Sequence, residues 1–136
     1  MLEVYSKNVT VGFDSSIPLN NVALLKGTSS QLSGGSSIQL NKCGIYQISV
    51  SVTVIGSAAG LITLQMRKDG VLQPQAIVST SAVDATSSNA ISFTTLVQVP
   101  QNNCINCVCS SPTVVEFVNT GIAATYSQFD VTVIRV

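Results

Sequence analysis

Between Ile45 and Ile55 the chain alternates. Ile48, Val50, Val52 and Val54 fall on one side, and Gln47, Ser49, Ser51 and Thr53 on the other. Successive side chains of an extended strand point to opposite faces, so this pattern suits a strand with one face in a core and the other turned outward. The pattern recurs. Ile91, Phe93, Val97 and Val99 share a face against Ser92, Thr94 and Gln98, with Leu96 among the latter. Phe129, Val131 and Val133 alternate with Asp130 and Thr132. Val, Ile and Thr supply 42 of 136 residues (19, 11 and 12). Their branched Cβ suits a pleated surface better than a helix. The chain therefore reads as half-buried antiparallel strands, with no convincing helical segment.

Turn chemistry separates these strands. Asp69-Gly70 lies between Leu61–Lys68 and Val71–Gln73 and predicts a type I′ hairpin, because both residues accept φ > 0. Ser33-Gly34-Gly35-Ser36, Gly56–Gly60, Asp84–Asn89 and Asn119-Thr120-Gly121 mark further breaks. About eight to ten strands at short spacing, without a fixed-period repeat or a linker, predict an all-β antiparallel sandwich or jelly roll occupying residues 1–136 as one domain.

Charge narrows the function. Charged residues make up 9% of the chain, against about 25% in a typical soluble domain, and six Lys+Arg balance six Asp+Glu. Six dispersed cations give no basic patch for phosphates, so no nucleic-acid partner is expected. No His is present to act as a general base. A monomer so poor in charge would be weakly solvated, which suggests that copies of the chain cover one another. No apolar run approaches the ~20 residues of a membrane span, and no membrane partner is expected. The first residues lack a basic stretch followed by an apolar run, so no signal peptide is expected. With no secretory route in view, the sequon Asn8-Val9-Thr10 is not expected to carry a glycan.

The most conspicuous local feature is Cys104-Ile105-Asn106-Cys107-Val108-Cys109, between Pro100 and Pro112, with a fourth cysteine at Cys43. If successive turns fall at opposite ends of a sandwich, this loop lands at the same end as Cys43. Cys43, Cys104, Cys107 and Cys109 are therefore the candidate disulfide or thiol cluster. Bridges with three pairings, a four-thiolate zinc site, and free thiols packed as small hydrophobes all stay open, with bridges preferred. Zinc usually asks for two Cys-x-x-Cys knuckles, and one is present, so no metal site is assigned.

The carboxylates Glu3, Asp14, Asp69, Asp84, Glu116 and Asp130 are scattered. Glu116 and Asp130, on neighbouring late strands, could approach as a glycosidase pair would. Solvated faces, or pairing with Arg67, Lys68 or Arg135, account for them better. Abundant Ser and Thr form no Gly-x-Ser-x-Gly elbow. No catalytic or cofactor-binding residue is assigned, and the dispersed Tyr and Phe read as packing residues.

One run of residues has a familiar look. Ile38-Gln39-Leu40-Asn41-Lys42-Cys43-Gly44-Ile45-Tyr46-Gln47-Ile48 resembles the Gly-x-Tyr approach to the central strand of complement-globular-head and tumour-necrosis-factor-like jelly rolls. Leu61–Gln73 followed by Pro74 resembles their Asn/Asp-Gly hairpin, and Ser111–Phe117 and Phe129–Val136 resemble their last two strands. The likeness is greatest to C-terminal domains of collagen-like exosporium proteins and to small phage fibre or head-decoration proteins. The cysteine run is not part of that pattern.

The resemblance implies a compact homotrimer without catalytic residues. The sheet holding the first, last and central strands would face the threefold axis and put parts of Ile45–Ile55, Ile91–Val99 and Phe129–Val136 at subunit contacts. The expected role is a non-enzymatic decoration, head-fibre or fibre component at a phage virion surface, attached to other virion proteins. A spore-surface structural protein and a carbohydrate- or receptor-binding head are the alternatives. The end bearing the cysteines and termini would attach or lock the trimer, and the opposite loops would face outward.

Overall fold

The computed structural model describes residues 1–101, 104–105 and 108–136, and for residues 104 and 109–111 the backbone alone. The strands among them are β1 (Leu2–Val11), β2 (Ser15–Ser16), β3 (Asn21–Leu25), β4 (Ser30–Ser33), β5 (Ser37–Lys42), β6 (Gly44–Gly56), β7 (Gly60–Lys68), β8 (Val71–Ala82), β9 (Ser88–Val99), β10 (Cys104–Ile105), β11 (Val108–Asn119) and β12 (Ala124–Arg135). All their pairings are antiparallel. One sheet runs β3-β1-β12-β6-β9, and the other runs β4-β5-β11-β7-β8, with β2 and β10 both paired to β11.

Each alternating segment does what its period demands. Ile48, Val50, Val52 and Val54 are buried, as are Phe129, Val131 and Val133. They meet Ile38, Leu40, Ile62, Leu64, Met66, Val115 and Phe117 of the other sheet in one core. Aromatic rings far apart in sequence gather there. Phe117 lies 6.4 Å from Phe93 and 5.6 Å from Phe129, and Phe129 lies 5.9 Å from Tyr126, all in tilted or edge-on contacts that suit the ring quadrupoles.

The Asp69-Gly70 turn forms as its chemistry predicts, with φ of 49° and 84°. Asp69 also fastens the hairpin to β11, because its Oδ1 accepts the Val114 N–H at 2.8 Å. Two features depart from the sequence reading. β8 continues past Gln73 through Pro74 to Ala82. A proline without an N–H is tolerated because β8 is an edge strand, and the register slips by a bulge opposite Gln65–Arg67. The short strands β2, β3, β4 and β10 also raise the strand number above the expected eight to ten. β3 carries no signal of a buried face because all five of its residues are exposed.

Candidate functional site

The alternation that fills the core leaves the opposite face of the five-stranded sheet looking outward. Antiparallel register lines up Glu3, Thr132, Ser49 and Thr94 in one row across β1, β12, β6 and β9, and Tyr5, Asp130, Ser51 and Ser92 in the next. Lys7, Gln128, Thr53 and Ala90 form the row beyond. Short hydroxyls bond to each other along it, Ser49 to Thr94 at 3.3 Å and Thr10 to Thr125 at 3.0 Å. Toward the chain termini the face turns apolar. Ile134 and Leu96 flank Gln47, and Ile45 lies next to them, with Leu96 63% exposed. The three segments expected at subunit contacts therefore lie side by side.

Within this neutral face Asp130 stands out. The Glu3 carboxyl is within hydrogen-bonding reach, and the Asp130 Oδ1 is shielded from solvent without a hydrogen-bond partner among the described residues. Desolvation first, then the hydrogen bond and like charge of Glu3, push Asp130 up to about 6, against a partial opposing contribution from the Val131 N–H. The sequence reading missed this pair because the residues stand at opposite ends of the chain and meet only through the pairing of β1 with β12. The strand order implied by the resemblance was the one available signal.

The outward face of the seven-stranded sheet treats its carboxylate differently. Arg67 reaches Glu116 at 3.2 Å and the Ser16 hydroxyl at 3.1 Å, while that hydroxyl donates to Glu116 at 3.0 Å. Glu116 and Asp130 do not form the facing pair weighed from the sequence. Their strands are consecutive but belong to different sheets, and both side chains leave the core in opposite directions. Pairing with Arg67 explains Glu116. Lys68 and Arg135 are used otherwise, on the carbonyls of Gln98 and Cys43.

The turn between β5 and β6 carries Cys43, whose side chain is buried. Arg135 donates to the Cys43 carbonyl through Nε at 3.0 Å and Nη2 at 2.7 Å. A Cβ on Gly44 would stand 3.1 Å from that Nε, and Gly44 has φ of 130°, so glycine gives the guanidinium its path. Two residues on, the buried Tyr46 sets its hydroxyl 2.7 Å from the Lys42 carbonyl and 3.2 Å from that of Ser29. Burial raises its titration, against partial opposition from the Lys42 hydrogen bond and the Arg135 charge. The Gly-x-Tyr motif thus ties the turn to the last strand, and the Val136 N–H closes it on the Ile45 carbonyl at 2.8 Å.

Backbone register brings the cysteine run to this turn. Cys104 pairs with Cys109, and Val108 pairs with Lys42, the neighbour of Cys43. Cys107 and the side chains of Cys104 and Cys109 lie outside the described residues, so bridge, zinc and free-thiol readings are not separated by geometry there. The amino terminus is at the same end, donating to the Lys26 carbonyl at 2.9 Å.

The opposite end holds the Gly56–Gly60, Asp84 and Thr120–Ala123 loops. Asn119 pins the last of these to the end of β1 from inside, donating to the Val11 and Ile122 carbonyls at 3.1 and 2.9 Å and accepting the Gly121 N–H at 3.2 Å. Asp84 accepts the Thr86 and Ser87 N–H groups, which hold its carboxyl well below the usual range. Phe13 and Val83 are exposed at this end.

No family model and no curated protein matches the sequence. The structure is nevertheless similar along its full length to jelly-roll proteins. Against the PRD1 vertex protein P5 the TM-score is 0.60 at 17% identity, covering 99% of this chain and 95% of that one. Against the Eiger TNF of S. frugiperda it is 0.70 at 10% identity, covering 99% and 92%. Against the globular domain of zebrafish complement 1qA protein it is 0.60 at 11% identity, covering 96% and 94%. The chain has the TNF/C1q-like jelly-roll fold, as the sequence resemblance implied.

Proposed function

We propose that this chain, one jelly roll over residues 1–136, is a non-enzymatic homotrimeric element of a phage virion surface. The observation that carries the reading is the outward face of the five-stranded sheet. Neutral side chains cover most of it, with Glu3, Lys7 and Asp130 the charged exceptions, and apolar residues close one end. Such a face lets another copy approach without desolvating many charges, as large obligate interfaces require. The 9% charged composition fits the same account. The likeness to the PRD1 vertex protein P5 supports the virion setting. Native mass spectrometry at micromolar concentration should give three times the 14.2 kDa chain mass, and labelled antibody should decorate purified particles. A stable monomer, or particles without the protein, would overturn the reading.

The termini and cysteine end serve attachment and locking in this proposal, leaving the Asn119 end outward. Support comes from the register that places Val108 beside Lys42, the neighbour of the buried Cys43. Replacing Cys43, Cys104, Cys107 and Cys109 together by Ser should lower resistance to heat and detergent while leaving the β circular-dichroism spectrum in place. Unchanged resistance and unchanged particle attachment would refute the lock.

A further inference from the structure

The outward face carries three charged side chains, the exposed Lys7 and a pair of like charges, Glu3 and Asp130. Asp130 sits at the middle of β12, opposite Tyr5 of β1 and Ser51 of β6. Glu3 comes from one residue pair farther along β1, diagonal to Asp130 on the same face of adjacent strands. From β6 the neighbours are Ser49, Ser51 and Thr53, none of which titrates in water's ordinary range. On β12 itself they are Gln128 and Thr132. The nearest cation by register is Lys7, which is exposed and stands opposite Gln128 rather than Asp130. Arg135 is engaged with the Cys43 carbonyl, and Lys68 with that of Gln98.

We propose that the Glu3–Asp130 pair makes self-association of this protein acid-favoured, a proposal that rests on the trimer reading above. When the pair holds a proton, one carboxyl donates to the other and the patch carries a single charge. When both are ionised, they repel each other and each must shed water as the next copy closes over them. Burial at the interface disfavours the doubly charged form further, so assembly takes up protons and tightens as pH falls. The raised titration of Asp130 in the isolated chain, to about 6, places the change in the mildly acidic range.

The test is the trimer dissociation constant at pH 5 and pH 8. It would be measured by sedimentation on the intact chain, at a fixed urea concentration that populates both trimer and monomer. The wild type should half-dissociate at roughly thirtyfold lower concentration at pH 5, the change expected when each of the three pairs gains about one pK unit on association. Asp130→Asn should lose that dependence and hold at pH 8 as tightly as the wild type at pH 5. Glu3→Gln, a second variant in case the first folds poorly, should at least halve the logarithmic difference. A wild-type trimer equally tight at both pH values would sink the acid preference while leaving the trimer standing. So would an Asp130→Asn protein that keeps the full dependence. A monomer at both pH values would instead remove the trimer reading, and this inference with it.

Discussion

The two outward sheet faces answer the same problem in opposite ways. On the seven-stranded sheet, Glu116 is neutralised within the chain by Arg67 and Ser16, while Leu61 and Ile77 stay exposed on the same face. On the five-stranded sheet, Asp130 is set against Glu3 with no cation across from it, and the surrounding hydroxyls and the Ile45, Leu96 and Ile134 end are left exposed or half-buried. A face that balances its own charges suits water. One that leaves a like-charged carboxyl pair uncovered suits another protein surface. Low overall charge alone did not distinguish these faces. The placement of a few charges does.

The largest expected effect cuts across the comparison, because both faces hang on one core. Phe117 is fully buried between Phe93 and Phe129. Phe117→Ala should cost about 3–5 kcal/mol in urea unfolding, through lost burial and a residual cavity. A loss below about 1 kcal/mol would mean that the sheets are less tightly coupled than their packing indicates.

Single changes on each face should then differ in sign. Arg67→Ala leaves the half-buried Glu116 with Ser16 alone and should destabilise by about 1–2 kcal/mol at pH 7. Asp130→Asn should do the reverse. The folded chain holds the Asp130 proton up to about pH 6, whereas the unfolded chain releases it near the ordinary 3.8. Wild-type stability contributed by this group therefore falls as pH rises from about 4 to about 6, and the penalty is complete above that range. Asp130→Asn should be more stable than wild type by up to about 1 kcal/mol at pH 7, after solvent screening is allowed for, and equal to it near pH 3. Matching destabilisation by both variants at pH 7 would erase the contrast. A smaller effect is expected at the turn: Asp69→Ala keeps a positive φ without the Asp side chain and loses the bond to Val114, costing about 1 kcal/mol in thermal unfolding.

Much of the fold was legible because period-two patterning and turn chemistry are local. Ile48–Val54 and Phe129–Val133 declare their buried faces, and Asp69-Gly70 declares its hairpin. Gly44-x-Tyr46 was legible as a motif, but its reason, a path for Arg135 to the Cys43 carbonyl, needs the pairing of β6 with β12. The extension of β8 was hidden by Pro74, which reads as a break unless the strand is known to be an edge. Asp130 and Glu116 misled because adjacency along the chain is not adjacency in a sheet. Its true neighbour, Glu3, lies at the far end of the sequence. The cysteine run could be brought near Cys43 by counting turns, but thiol chemistry depends on side-chain geometry that patterning does not carry.

The account stands on the five-stranded face being the surface where copies meet. Sedimentation equilibrium on three proteins tests it: wild type, Ser49→Arg in the middle of that face, and Gln39→Arg on the outward face of β5. Wild type and Gln39→Arg should sediment at three times the 14.2 kDa chain mass, and Ser49→Arg at the chain mass itself. Equal masses for the two arginine variants, whether both trimeric or both monomeric, would contradict the account.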